Sequence, residues 1–175
     1  MECPYCGWDN IAGSDECGQC RSELRHLDLP RGRSPIEKSI MGDDIVRLMR
    51  GDAISVSPDT PLRDVVRRLV DEKRHCALVI KNDAIAGIFT ERDALMKTAH
   101  RFGEAADRPV EQFMTRDPEC LRPNDTLNYG LNKMVVGNYR HLPIEDHGRA
   151  IGVVSVRDVL AYVVERYGDV MGAAV

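Results

Sequence analysis

The sequence predicts an α/β chain in which two successive β-α-β-β-α units follow a small cysteine-rich segment. Three observations predict it. A seven-residue stretch occurs twice, as Gly87-Ile88-Phe89-Thr90-Glu91-Arg92-Asp93 and Gly152-Val153-Val154-Ser155-Val156-Arg157-Asp158, 65 positions apart. The segments before each copy pass through strand-like and helix-like apolar patterns in the same order. Two Cys-x-x-Cys pairs stand within the first 20 residues.

A chain of 175 residues holds one domain of ordinary size with a small appendage. Its net charge of −4 gives no global pull toward nucleic acid or an anionic membrane. No apolar run reaches the length of a bilayer span. The N-terminus opens with cysteines rather than a basic and apolar leader, so a cytoplasmic location is expected.

Cys3, Cys6, Cys17 and Cys20 come as two close pairs separated by ten residues. Each pair presents two sulfurs from one tight turn, and a soft divalent metal takes four thiolates at tetrahedral corners. Two disulfides would need an oxidising compartment. Residues 1–23 therefore look like a zinc ribbon. A rubredoxin-like iron site is the alternative, since both metals accept this ligand set. Tyr5, Trp8 and Ile11 are the expected apolar core, and the metal should supply most of the folding energy. Arg21 alone opposes five carboxylates, so the ribbon is a poor nucleic-acid binder and is expected to serve structure or a protein partner.

Residues 24–43 read as a linker broken by Pro30, Gly32 and Pro35. Ser34-Pro35-Ile36-Glu37 has the form of a capping box, but Gly42 limits any helix, and a flexible tether is expected.

The first repeat is placed at 44–106 and the second at 107–175. Each begins with an apolar entry segment ending in Met49 or Met114. Ile54–Pro58 and Glu119–Pro123 read as strands that stop at a proline. Thr60 and Asp125 are the expected N-caps of the helices that follow. Leu62, Val65, Val66, Leu69 and Val70 recur at helical spacing, matched by Leu127, Gly130, Leu131, Met134 and Val135. Arg74–Ile80 and Arg140–Ile144 read as strands. Polar turns at Lys81-Asn82-Asp83 and Asp146-His147-Gly148-Arg149 then lead to strands Ile85–Phe89 and Ala150–Val154. A helix should follow each seven-residue stretch, the second ending at Gly168.

This order of elements, the proline-ended first strand and the Gly-x-x-Thr/Ser-x-Arg-Asp ending, twice in register, resemble the CBS domain from residue 44 to about 167. The resemblance implies a pseudo-two-fold pair of repeats. It also implies clefts between them that take adenosine compounds such as AMP, ADP, ATP or S-adenosylmethionine, and pairing into a homodimer.

Physical chemistry leaves two roles open for the repeated stretch. Thr90-x-x-Asp93 and Ser155-x-x-Asp158 suffice as capping boxes. The same groups suit a nucleotide: unpaired N–H groups and a hydroxyl for phosphate, a carboxylate for ribose hydroxyls, and Arg92 or Arg157 beside the phosphate. Carried over by motif position, Thr90, Asp93 and Arg92 serve one cleft, and Ser155, Asp158 and Arg157 the other. Arg74 and Arg140 are further phosphate candidates. Ile54, Val56, Ala77, Leu121 and Pro143 are candidate base-binding walls that would serve a core equally well. His75 and His141 are expected to pack at strand entrances, and Cys76 and Cys120 to be inert small apolar groups. Nothing resembles a nucleophile with its base and orienting group, so a regulatory, ligand-sensing role is expected rather than an enzyme. A redox protein or an interaction scaffold is the alternative.

Overall fold

The computed structural model describes residues 1–11, 14–25, 35–49 and 53–172. The chain forms helix α1 (Pro35–Gly42), a short turn of helix at Ile45–Leu48, then β1 (Ile54–Val56), α2 (Leu62–Asp71), β2 (Cys76–Lys81) and β3 (Ala84–Thr90). Two short helices follow, α3 (Glu91–Asp93) and α4 (Phe102–Ala105), then β4 (Thr115–Arg116), α5 (Leu127–Gly137), β5 (His141–Asp146), β6 (Arg149–Ser155) and α6 (Val156–Gly172).

One sheet runs β1-β2-β3-β4, with β1 parallel to β2 and the other pairs antiparallel. The other is the β5-β6 hairpin, which Leu121 extends by a parallel bridge to Ile144. The expected strand over Glu119–Pro123 is thus reduced to one bridged residue. Both hairpins close through two residues with positive φ, Asn82 and Asp83 in one and His147 and Gly148 in the other. Such turns match the right-handed twist of the flanking strands. The register slips once in each hairpin, between Val79 and Ile80 and between Ile144 and Glu145, so even the irregularity repeats.

The entry segments cross over. Ile45 and Leu48, at the start of the first repeat, are buried with Leu121, Leu127, Leu142 and Ile144 of the second. Val110 and Phe113, at the start of the second, are buried with Val56, Val65, Val79 and Phe89 of the first. The backbone follows the same exchange: Ile45 N donates to Asp125 O at 2.7 Å and Val110 N to Thr60 O at 2.9 Å. This crossing explains the repeated glycines. A Cβ on Gly87 would lie 2.4 Å from Met114 Sδ, and one on Gly152 would lie 2.5 Å from Met49 Sδ. Each glycine admits the methionine that enters from the other repeat.

Several expectations are corrected. The region read as a tether contains α1, and Leu24 is buried against Cys3 and Cys17. Asp43 ties α1 to the C-terminal helix, accepting from Ser39 Oγ at 2.5 Å, from Tyr162 Oη and from Arg166 Nη2 at 3.2 Å. These bonds hold its carboxyl below the usual range. The proposed cap Ser34 lies outside the described residues. The caps shift by one: Pro61 precedes α2 without a side-chain bond, and Thr126 caps α5 by accepting from Tyr129 N. Asp125 is instead fully buried and accepts from Arg122 N at 2.8 Å. Helix α6 runs through Gly168 to Gly172 rather than ending at Gly168. The helix after Asp93 is not continuous. Its backbone widens over Ala94–Thr98, where Thr98 Oγ1 donates to Ala94 O at 2.6 Å, and this turn leaves Leu95 and Met96 exposed.

Candidate functional site

The four expected thiols do meet. Cys3, Cys6, Cys17 and Cys20 place their sulfurs within 4.8 Å of one another, with 3.7 Å between Cys3 and Cys20 and 3.6 Å between Cys6 and Cys17. A tetrahedron with metal–sulfur bonds of about 2.3 Å has edges of roughly 3.8 Å. Two matching turns build the cluster: Gly7 N bonds to Cys3 O and Arg21 N to Cys17 O, with both Gly7 and Arg21 at positive φ. Burial opposes the Cys17 thiolate, but the backbone N–H groups of Cys20 and Gln19 and two neighbouring sulfurs bring it down to about 6. The backbone at Trp8 favours the Cys6 thiolate, yet burial and the three neighbouring sulfurs drive that thiol up to about 12. Four sulfurs this close repel once charged, which a cation would relieve. Tyr5, Trp8 and Ile11 are 73%, 53% and 85% exposed and are not the core; the sulfurs occupy the centre instead.

The cysteine segment docks on the second repeat by charge. Glu23 pairs with Arg122 at 2.9 Å, and Arg25 pairs with the buried Asp125 at 3.4 Å. Lys133 lies 3.7 Å from Asp15 and 2.8 Å from Glu119. The Glu119 carboxylate holds the Lys133 ammonium above its ordinary range. The Tyr129 ring lies between Arg25 and Lys133, at 5.3 and 5.2 Å.

Both copies of the seven-residue stretch open onto a cleft. Thr90 N and Oγ1 donate to Asp93 Oδ2 at 2.9 and 2.7 Å, while Asp93 N donates back to Thr90 Oγ1. Ser155 and Asp158 repeat the arrangement at 2.7 and 2.6 Å. The capping role is therefore real in both copies, and it uses one carboxylate oxygen of each Asp. The other oxygens differ. Asp93 Oδ1 lies 2.7 Å from Lys97 Nζ and accepts from Thr115 Oγ1, whereas no ion pair joins Asp158 among the described residues.

The first cleft, of about 310 Å³, is lined by Thr90, Arg92 and Asp93 from one repeat and by Tyr139, Arg140 and His141 from the other, with Arg116, Asp117 and Glu119 between them. The second, of about 230 Å³, is lined by Ser155, Arg157 and Asp158, faced by Lys73, Arg74 and His75, with Ile54 on its wall. The structure thus brings each motif to the Arg-His pair of the opposite repeat. It does not bring Val56, Ala77, Leu121 or Pro143 to the lining of either cleft; all four are buried, the first three in the cores that the crossing segments complete. Tyr139, Lys73, Lys97 and Glu119 are cleft or cleft-adjacent groups that pattern reading missed. Only Lys97 carried a signal, four residues after Asp93 on a helix.

His75 joins the two motifs. It lies 2.8 Å from Glu91 Oε1 through Nδ1 and takes Arg157 Nη1 at Nε2. His141 lines both clefts, and burial, followed by the nearby His75, lowers its imidazole from the ordinary value. Burial pushes Cys76 up to about 12 and Cys120 to about 11, as expected of unreactive thiols. No helix among the described residues is long and apolar enough to cross a membrane.

Comparisons with known proteins agree with this fold. CBSCBSPB1 of Arabidopsis thaliana, a CBS domain-containing protein, is 32% identical over 120 residues, which are 68% of this chain but only 22% of that protein. Solved structures share the fold. A CBS domain protein from Pyrobaculum aerophilum complexed with AMP is 21% identical, with a TM-score of 0.59 over 66% of this chain and 88% of that one. A CBS domain pair in complex with 5′-methylthioadenosine and S-adenosyl-L-methionine is 16% identical, with a TM-score of 0.63 over 71% of this chain and 98% of that one. The CBS domain family model matches twice, at residues 42–99 and 110–165, and so covers more than half of the sequence. The chain belongs to the CBS domain family.

Proposed function

We propose that this chain is a regulatory module that senses adenosine compounds in its two clefts, and that the four cysteines hold a structural zinc ion. The observation that carries the reading is the doubled constellation of capped Thr/Ser-x-x-Asp, neighbouring Arg and facing Arg-His pair, each opening on a cleft. The N–H groups and guanidinium groups suit phosphate, and the outer carboxylate oxygens suit ribose hydroxyls. The ligands of the two solved relatives belong to this chemical class. Among the described residues of the clefts no nucleophile stands with a base and an orienting group, and the reading is therefore one of binding. The ribbon contacts Lys133, which contacts Glu119 on the first cleft, and this gives occupancy a route to the metal segment.

Titration calorimetry on protein stripped of co-purified ligand tests the proposal. AMP, ADP, ATP or S-adenosylmethionine should bind and raise the melting temperature by mass action. Asp158→Ala should weaken binding by roughly 1.5–3 kcal/mol, the range for a hydrogen bond to a charged group. If that variant melts earlier but binds with unchanged affinity, the carboxylate is a cap and nothing more. Absence of binding by all four compounds would leave an interaction scaffold. Metal analysis that finds iron with visible absorption would replace zinc by a rubredoxin-like centre.

The same reading includes a homodimer. Leu95, Met96, Leu160 and Val164 are large apolar side chains left exposed after the two motifs. Burying them against a second copy is the expected use. Light scattering at micromolar concentration should give twice the chain mass; a monomeric mass counts against it.

A further inference from the structure

The repeats are alike in motif, but the clefts differ in charge at matched positions. Glu91 in the first motif stands where the second has Val156. Glu119 on the first cleft stands where the second has Ile54. Tyr139 on the first stands where the second has Lys73. All three exchanges make the second cleft more positive. Others run the other way: by sequence Arg116 on the first cleft is matched by Gly51 and Asn138 by Glu72, and Lys97, which neutralises Asp93, is matched by Tyr162, which is engaged with Asp43. Among the described lining residues the second cleft still favours anions: the first carries Glu91, Asp93, Asp117 and Glu119, whereas the second has Asp158 as its carboxylate, beside Lys73 and Arg157. That carboxylate also keeps its outer oxygen free of a cation there, whereas Lys97 holds the outer oxygen of Asp93. The first cleft instead offers an aromatic face. The Tyr139 ring lies over Gly137, where a Cβ would come within 2.0 Å of it. Aromatic faces take adenine by stacking and attract cations such as a sulfonium.

We infer that the clefts sort adenosine ligands by charge: the Ser155–Asp158 cleft takes the phosphorylated nucleotide, and the Thr90–Asp93 cleft takes a phosphate-free adenosine derivative, neutral or sulfonium. The inference rests on the adenosine reading above and adds which chemistry enters which cleft. It makes the module a comparator of two ligand pools rather than a sensor with two equal sites.

The test uses the full chain, stripped of ligand, titrated with ATP and separately with 5′-methylthioadenosine. Lys73 is exposed at a position with positive φ, so Lys73→Asn keeps a side chain that tolerates this backbone, and Lys73→Glu reverses the charge. Lys73→Glu should weaken ATP roughly tenfold or more, Lys73→Asn by less, and neither should move 5′-methylthioadenosine beyond about twofold. Tyr139→Ala should do the reverse. Saturating ATP should leave the 5′-methylthioadenosine site open. Mutual displacement of the two ligands, or loss of ATP affinity through Tyr139→Ala instead of Lys73→Glu, overturns the sorting while leaving the adenosine reading standing. Binding of neither ligand overturns both.

Discussion

Replacing Cys17 by serine is expected to release the metal and unfold the ribbon, the largest effect of any single change in this chain. Apparent binding energies of structural zinc are about 10–16 kcal/mol, and the ribbon has little else to hold it. Cys3, Cys17 and Leu24 are its buried apolar residues, with Met1 packed against them. The repeats should survive, but not unchanged. With the ribbon unfolded, Arg25 leaves the fully buried Asp125, and a buried carboxylate deprived of its cation is costly. The variant should therefore show no bound metal by elemental analysis and a lower melting temperature for the remaining repeats. Exhaustive chelation of the wild type should reproduce both results. Retention of one full equivalent of metal in Cys17→Ser would remove the site as proposed.

Phe113→Ala is expected to destabilise the first repeat, although Phe113 belongs by sequence to the second. The side chain is almost fully buried among Ile54, Val65, Val79 and Phe89. Truncating a buried phenylalanine costs about 3–5 kcal/mol, through lost transfer energy and the cavity left behind. Hydrogen exchange should show protection lost first in β2 and β3. Ile45→Ala should act the opposite way, loosening β5 and β6 at a cost of about 2–5 kcal/mol. If each variant loosened only the repeat that contains it in sequence, the crossing would be refuted.

Much of this was legible in the residues themselves. The two-fold recurrence of Gly-x-x-Thr/Ser-x-Arg-Asp gave the repeat, and alternation of strand and helix periods gave the order of elements. The four-cysteine cluster followed from spacing alone. What was not legible depends on distance in sequence. No periodicity says that Ile45 packs with Leu121 of the other repeat, or that Val110 and Phe113 pack with Val56. Over residues 35–43 the tether reading gives way to α1, because Asp43 finds its partners, Tyr162 and Arg166, more than a hundred residues away. The broken helix after Asp93 coincides with a local bond, the Thr98 hydroxyl on Ala94 O, of which an apolar pattern carries no sign. The difference between the clefts lay at the free position of the motif, Glu91 against Val156, and outside the motif altogether, so the motif could not announce it.

The reciprocal crossing also bears on where this architecture came from. A polypeptide carrying one copy of the unit would have its own sheet uncovered and its own entry segment with nothing to cover. It closes only against an identical neighbour that returns the same segment, through the paired contacts now made by Asp44 with Thr126 and Pro61 with Pro109. Tandem duplication of such a gene would fuse an exchanged homodimer into a single molecule. In a fused chain the halves can differ wherever contact with the other half does not forbid it: the methionines across from Gly87 and Gly152 leave no room for a side chain there, while Glu91 and Val156 differ freely.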